Sequence, residues 1–261
     1  KVLSALSLRL MKKIWDISPP IDANSPVFPG DTSFQLNWTA EISPQCPVNV
    51  SAITLSPHVG SHADAPLHYD PCGVAIGHVD LQTFIGPCRV IHALGAGPLI
   101  TMQDLKHKIQ HLPERVLVRT YAKFPEQAFD SQLKAFAPHT LTALADLGVK
   151  LVGIDSASID PADSKTLDSH QVIRLRNMRV LENLVLDEVP EGDYELIALP
   201  LKLTEADASP VRAVLRLKFR LGLFEQQEVV VAAADQALGS KESRQLAQSI
   251  AEKSIVLLKN D

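Results

Sequence analysis

Cysteine is scarce in this chain. Three residues, Cys46, Cys72 and Cys88, are spread widely through 261, and their number is odd. That excludes a disulfide framework and a four-cysteine zinc site, and a reducing cytoplasm is the expected compartment. No apolar run is long enough to span a bilayer. Neither sign of charge dominates: 25 Lys and Arg stand against 30 Asp and Glu, a net −5. Nothing therefore points to a nucleic-acid or anionic-membrane partner. A Gly-x-Ser-x-Gly arrangement for a nucleophilic serine is missing, as are internal repeats and low-complexity linkers. What is left is the composition of an ordinary soluble globular protein, 46% hydrophobic and 21% charged. The length suits one large domain or two small ones, with ample material for a core.

Against that plain background one stretch stands out. His58-Val-Gly-Ser-His62-Ala-Asp64-Ala-Pro-Leu-His68 packs three histidines and an aspartate into eleven residues. Imidazole nitrogen and carboxylate oxygen are the ligands that Zn²⁺, Mn²⁺ and Fe²⁺ prefer. His62 and Asp64 are two apart, so in an extended segment they point the same way. Gly60 and Ser61 let the backbone bend so that His58 can join them, and Pro66 disfavours helix at Ala65. The stretch reads as a metal site; the competing reading is a merely structural polar loop.

The surrounding pattern is α/β. Strands are expected at Trp15–Ser18, stopped by Pro19-Pro20, and at Phe34–Trp38, Val48–Leu55, Cys88–Leu94 and Arg115–Arg119. Ser25-Pro-Val-Phe28-Pro-Gly-Asp31 reads as a rigid turn. Helices are expected at Met102–His111, at Pro138–Leu147 with Gly148 as its stop, and at Ser169–Met178. Val149–Asp155 is apolar enough to be a strand buried on both faces. Leu181–Leu186 and Tyr194–Leu199 complete a mixed sheet. Residues 1–10 read as an appendage with a signal-like but interrupted apolar stretch. Beyond Gly239-Ser240 a last helix carries Leu246, Ala247, Ile250, Ala251, Ile255 and Leu258 on one face.

One short loop rarely completes a metal site, so a second contribution is expected. His170, near the start of a predicted helix, and Glu182, the one acid in an apolar strand, are the leading candidates. A carboxylate facing a sheet interior is costly unless paired or bound to metal. The residues alone leave open a helix-capping histidine and a solvated acid, and Asp155, Asp160 and Asp168 compete. His78, His92, His107, His111 and His139 lack companion spacing and are expected at the surface. Cys72, close to His68 in sequence, has no orienting partner and reads as a bystander.

The histidine stretch resembles the His-x-Gly-Thr/Ser-His-x-Asp-x-Pro-x-His motif of the metal-dependent cyclase family. Trp15-Asp-Ile-Ser-Pro-Pro, Pro29-Gly-Asp, Ala65-Pro-Leu-His-Tyr-Asp, Gly86-Pro-Cys-Arg-Val-Ile-His and Gly192-Asp-Tyr-Glu-Leu-Ile-Ala-Leu-Pro-Leu-Lys are similar to its bacterial kynurenine formamidase branch, from about Lys13 to about Leu215. The resemblance implies a swivelling β/β/α-type single domain with a mixed sheet, over residues 11–215, usually in homodimers. It implies a small-molecule aryl formamide substrate, with N-formyl-L-kynurenine hydrolysed to L-kynurenine and formate. It implies two Zn²⁺ per subunit (Mn²⁺ or another divalent ion being possible), held by His58, His62, Asp64, His170 and Glu182, with Asp64 bridging. His68 would be the proton donor and acceptor. Where the family often has tryptophan in the turn against the substrate's ring, this chain has Phe28, which keeps an aromatic wall but loses the indole donor.

Two other activities stay in view: hydrolysis of a related cyclic amide such as isatin, and an inactive metal-binding scaffold. The last 45 or so residues, with Val214–Glu225 and Ala251–Asp261, resemble the segment joining the catalytic domains of family 3 glycoside hydrolases but carry none of that family's catalytic acids. Residues 216–261 are accordingly expected to be a helical C-terminal extension of chimeric origin.

Overall fold

The computed structural model describes residues 14–217 and, by itself, Gln245. The chain divides into two compact units, Lys1–Lys218 and Phe219–Asp261, and all described residues but Gln245 belong to the first. The expected appendage at 1–10 and the amphipathic helix after Gly239-Ser240 lie outside the described residues, as does most of the glycosidase-like tail.

Alternating apolar runs and helix signals produce a mixed sheet. Its strands are β1 (Ile14–Asp16), β4 (His62–Asp64), β5 (Ile85–His92), β7 (Arg115–Arg119), β9 (Leu151–Ile154), β10 (Arg179–Glu182), β11 (Gly192–Ile197), β12 (Ala208–Pro210) and β13 (Val214–Arg216). Their order is β1-β13-β11-β5-β7-β9-β10-β4-β12. The middle four, β5, β7, β9 and β10, run parallel, and the pairings outside them are antiparallel. Every residue of β9 is buried, as the unbroken Leu-Val-Gly-Ile run demands of a parallel strand covered on both faces.

Alternation along the strands divides the core in two. Leu117, Leu151 and Leu181 pack in one cluster with Phe84, Leu196 and Leu215. Val116, Val118, Val152, Ile154 and Val180 pack in the other. There they meet Leu141 and Leu144 of the helix α3 (Pro138–Asp146) and Ile173 of α4 (Asp168–Leu175). Pro138 opens α3 at a position that needs no N–H, and Gly148, at φ +91°, follows its end.

Two smaller helices are α1 (Pro66–Tyr69) and α2 (Met102–Leu105). A separate two-stranded ribbon joins β2 (Gln35–Ala40) to β3 (Val50–Thr54), and β6 (Leu99–Ile100) pairs with β8 (Ala135–Phe136). Among the described residues no helix is long and apolar enough to cross a membrane.

Two expectations from periodicity are corrected. The helix foreseen over Met102–His111 stops at Leu105 and tightens into a 3-10 turn, Lys106–Lys108. The Thr101–Asp104 capping box starts it well, but beyond Leu105 only half-buried Ile109 offers an apolar anchor before Leu112 and Pro113. The strand foreseen over Leu181–Leu186 is instead β10, which ends at Glu182. Asn183 adopts a left-handed φ of +55° and turns the chain out of the sheet, while Leu184 and Leu186 stay buried.

Gly153 is a tightly packed point of the sheet. A Cβ there would sit 2.5 Å from Leu117 Cδ2 and 2.8 Å from Leu184 Cδ1. Gly153→Ala is expected to lower the unfolding free energy by about 1–3 kcal/mol through overpacking. Urea denaturation measures it as an earlier midpoint.

Candidate metal centre

The centre is built on the short strand β4. His62 and Asp64 share one side of it, as their spacing dictates. Antiparallel pairing sets Glu182, the last residue of β10, directly opposite His62. On the other flank β12 pairs Ala208 with Asp64, which brings Asp207 alongside. Gly60 turns the chain into β4 at φ +68°, where Ile21 leaves no room for a Cβ, and so carries His58 back toward the strand. His170 enters from the first turn of α4.

Five side chains converge. His62 Nε2 lies 3.2 Å from Glu182 Oε2 and 3.6 Å from Asp64 Oδ1. His58 Nδ1 is 3.3 Å from Asp64 Oδ1, and His170 Nε2 is 3.3 Å from Asp64 Oδ2 and 3.8 Å from Glu182 Oε1. Ligands about 2.0–2.2 Å from one tetrahedral ion are about 3.3–3.6 Å apart, the spacing seen here. His62, Asp64, His170 and Glu182 are all buried.

Neighbouring acceptors set the imidazole tautomers. His62 Nδ1 donates to the Gly60 carbonyl at 2.9 Å, and His170 Nδ1 donates to Asp160 at 2.7 Å. Each Nε2 lone pair is thereby turned toward the carboxylates, the usual outer support of a metal-bound histidine. Asp160, a rival ligand by sequence, is instead that support. It also accepts from the backbone N–H groups of Ser169 and His170. Asp155, the second rival, accepts from the Thr120 hydroxyl and the N–H groups of Thr120 and Tyr121. Burial pushes its carboxyl up to about 6 against those donors. Asp168, the third, is exposed at the start of α4. Glu182 Oε1 also accepts from the Ile159 N–H at 2.7 Å.

The charge balance calls for a cation. Asp64 is fully buried, and no well-aligned hydrogen bond reaches its Oδ1. Burial works against its ionisation, but the imidazoles of His170 and His58 outweigh that and hold the carboxyl well below the usual range. Burial pulls the His170 imidazole down, yet Asp160 and Asp64 raise it to about 10; His58 behaves alike through Asp207 and Asp64. The donor set, two buried carboxylates facing neutral-capable imidazoles, fits a divalent ion.

Sequence reasoning missed Asp207. Its Oδ2 lies 3.0 Å from His58 Nε2 and 3.2 Å from His68 Nδ1. It sits in a loop with no companion spacing, and only the pairing of β12 with β4 reveals it. Of the remaining histidines, His78, His107, His111 and His139 are exposed or half-buried, and His92 is half-buried, donating to the Val189 carbonyl. Cys72 is exposed and its thiol is free.

A cavity of about 660 Å³ opens above the cluster. His58, His68 and His170 face it, and Phe28 lines its wall. The Phe28 ring stands edge-on to Phe129, centroids 5.0 Å apart. This geometry can hold an ion at its floor, a mobile proton on half-buried His68 and a flat apolar ring at its side.

Residues 15–161 match the family described as "Putative cyclase". Over 207 residues the chain is 69% identical to the kynurenine formamidase of Delftia acidovorans (strain DSM 14801 / SPH-1), covering 79% of this chain and 99% of that protein. A solved structure of a potential metal-dependent hydrolase with cyclase activity aligns at a TM-score of 0.68 and 30% identity, over 78% of this chain and 96% of that one. An isatin hydrolase bound to a product analogue, thioisatinate, shares the fold at a TM-score of 0.69 and 24% identity, over 83% and 98%. A sheet that gathers these side chains at one edge, in a chain that follows a formamidase along almost the whole length of that relative, belongs to the cyclase family and within it to the kynurenine formamidases.

Proposed function

We propose that this chain hydrolyses N-formyl-L-kynurenine to L-kynurenine and formate, with a divalent metal at the β4 centre. The likeness to a kynurenine formamidase over nearly all of that protein carries the substrate. The orphaned, buried Asp64 Oδ1 supports the metal. We assign two zinc ions to each chain, held by His58, His62, Asp64, His170 and Glu182. Asp64 stands beside His58, His62 and His170, and His62 and His170 also meet Glu182, so these five would be the residues to hold the metal. We assign the metal-binding domain to residues 11–215, which reach into β13, the last strand in chain order.

When bound, the metal supplies positive charge that acidifies water and polarises the formyl oxygen. The rest falls to side chains. Hydrolysis adds water across the formyl C–N bond, and a proton must pass from that water to the departing aryl nitrogen. His68 stands on the cavity wall with 29% of its side chain exposed, so it can reach both. Asp207 takes the His68 Nδ1–H and leaves Nε2 to carry the proton. The same carboxylate oxygen takes the His58 Nε2–H, so one residue orients two rings. Phe28, backed edge-on by Phe129, offers the aryl ring an apolar wall.

The homodimer is assigned to the β2–β3 ribbon. Leu36, Trp38, Ile42, Val48, Val50 and Ile53 are all exposed there, an apolar patch of the kind that mates with a second surface. Three free cysteines suit a reducing compartment, the cytoplasm.

The following outcomes are expected. Chelation should abolish N-formyl-L-kynurenine hydrolysis and zinc should restore it; Asp64→Asn should lose metal, read by atomic absorption on a sample whose circular dichroism is unchanged. His68→Ala should lower kcat by about 10²–10⁴ with metal retained, and Asp207→Asn should lower it less, by about 10–100-fold. Trp38→Glu should shift the sedimentation coefficient from dimer to monomer. Hydrolysis that survives complete metal removal would refute the proposed mechanism.

A further inference from the structure

Two opposite charges on the cavity wall are unused by the reaction. Asp130 and Lys165 both line it, on different loops, and they do not pair with each other. Among the described residues Asp130 meets no cation and Lys165 meets no carboxylate within ion-pair distance.

Asp130 is held in place. Its Oδ2 accepts from the Tyr121 hydroxyl at 2.8 Å and its Oδ1 accepts from the Gln132 N–H at 2.9 Å. Tyr121 is in turn anchored by its backbone N–H, which donates to buried Asp155 at 2.9 Å. The loop before it is tied down as well, since the Phe124 N–H donates to Asp187. The next residue toward the N-terminus, Phe129, packs edge-on against Phe28. A fixed carboxylate therefore stands one residue from the aromatic wall. Lys165 supplies a long, exposed ammonium on the loop before α4. Asp31 also lines the cavity, but it is exposed and its carboxylate takes the Ser56 hydroxyl at 3.2 Å.

We infer that this outer wall is a subsite for an α-amino-acid zwitterion, with Asp130 receiving the ammonium and Lys165 the carboxylate. The inference rests on the formamidase reading, which supplies a substrate whose aryl ring carries an acyl-alanine side chain. With the formyl group at the metal floor and the ring against the wall that Phe28 and Phe129 form together, that side chain is the part left to be recognised. A preorganised anion costs little to order on binding, so it discriminates in KM rather than in the chemical step.

The test compares two substrates of the zinc-loaded full chain: N-formyl-L-kynurenine and 2-formamidoacetophenone, which keeps the ring and formamide but lacks the amino acid. Asp130→Asn and Lys165→Met should each raise KM for N-formyl-L-kynurenine about 10-fold or more with kcat within about twofold, and should leave both constants for 2-formamidoacetophenone unchanged. Asp31→Asn should change neither substrate. Equal losses on both substrates, or none on either, overturn the subsite; loss of the preference in Asp31→Asn alone overturns its assignment. Calorimetry with the deformylated products separates this from the activity itself. Wild type should bind L-kynurenine at least about tenfold more tightly than 2-aminoacetophenone, and both variants should lose that preference. A protein that keeps the preference but hydrolyses neither substrate retains the subsite and loses the formamidase reading. Equal hydrolysis and equal binding retain the formamidase and remove the subsite.

Discussion

Burial of the Asp64 carboxylate is the constraint around which the molecule is arranged. An ionised carboxylate taken out of water needs compensating positive charge or full hydrogen bonding. Asp64 has neither among backbone groups: its oxygens look toward His58, His62 and His170. Glu182 adds a second buried carboxyl group within reach of His62 and His170. A protein could keep such a centre only by binding protons or a metal there, and the raised imidazoles of His58 and His170 express that demand. The hydrolase chemistry therefore follows from an electrostatic deficit that the fold maintains.

The fold maintains it with short-range rules applied at long sequence distance. β4 is three residues long, yet it is paired on both sides, by β10 and by β12. A one-residue slip in either register would turn Glu182 or the Asp207 flank away from the centre. The left-handed turn at Asn183 ends β10 just after Glu182, so the carboxylate stands at the strand's mouth rather than inside the sheet. Ser61 Oγ donates to the Asn183 carbonyl at 2.7 Å, which stitches the histidine stretch to that same turn. Rigidity here serves positioning, because His62 and Glu182, 120 residues apart in the chain, must converge closely on one point.

Around the rigid floor the cavity wall is assembled from loops. Phe28 comes from a proline-rich turn and Phe129 from the loop after β7. Loops are suited to shaping a wall, because they vary without disturbing the sheet and so tune what is bound while the strands keep the chemistry. Phe28 belongs to this adjustable layer, whereas His62, Asp64 and Glu182 belong to the strands.

Much of the centre was legible from local patterns. His62 and Asp64 face the same way because strand geometry has a period of two, and Gly60 bends because only glycine takes that backbone angle at no cost. Each is a property of neighbouring residues, visible without a structure. The α/β class and the buried run of β9 were readable for the same reason. Other features were decided by pairing across the chain. Asp207 carries no local signature, and its place beside His58 and His68 exists only because β12 lies against β4. Asp160 and Asp155 looked like rival ligands until the structure committed them to His170 and to the Thr120–Tyr121 backbone. The apolar run Leu181–Leu186 predicted one strand, and a tertiary turn at Asn183 broke it. By itself the sequence determined which chemistry the chain carries, because ligand type and short spacing are local. Only the tertiary structure decided which acids complete that chemistry, because strand register is set by packing between segments far apart in the chain.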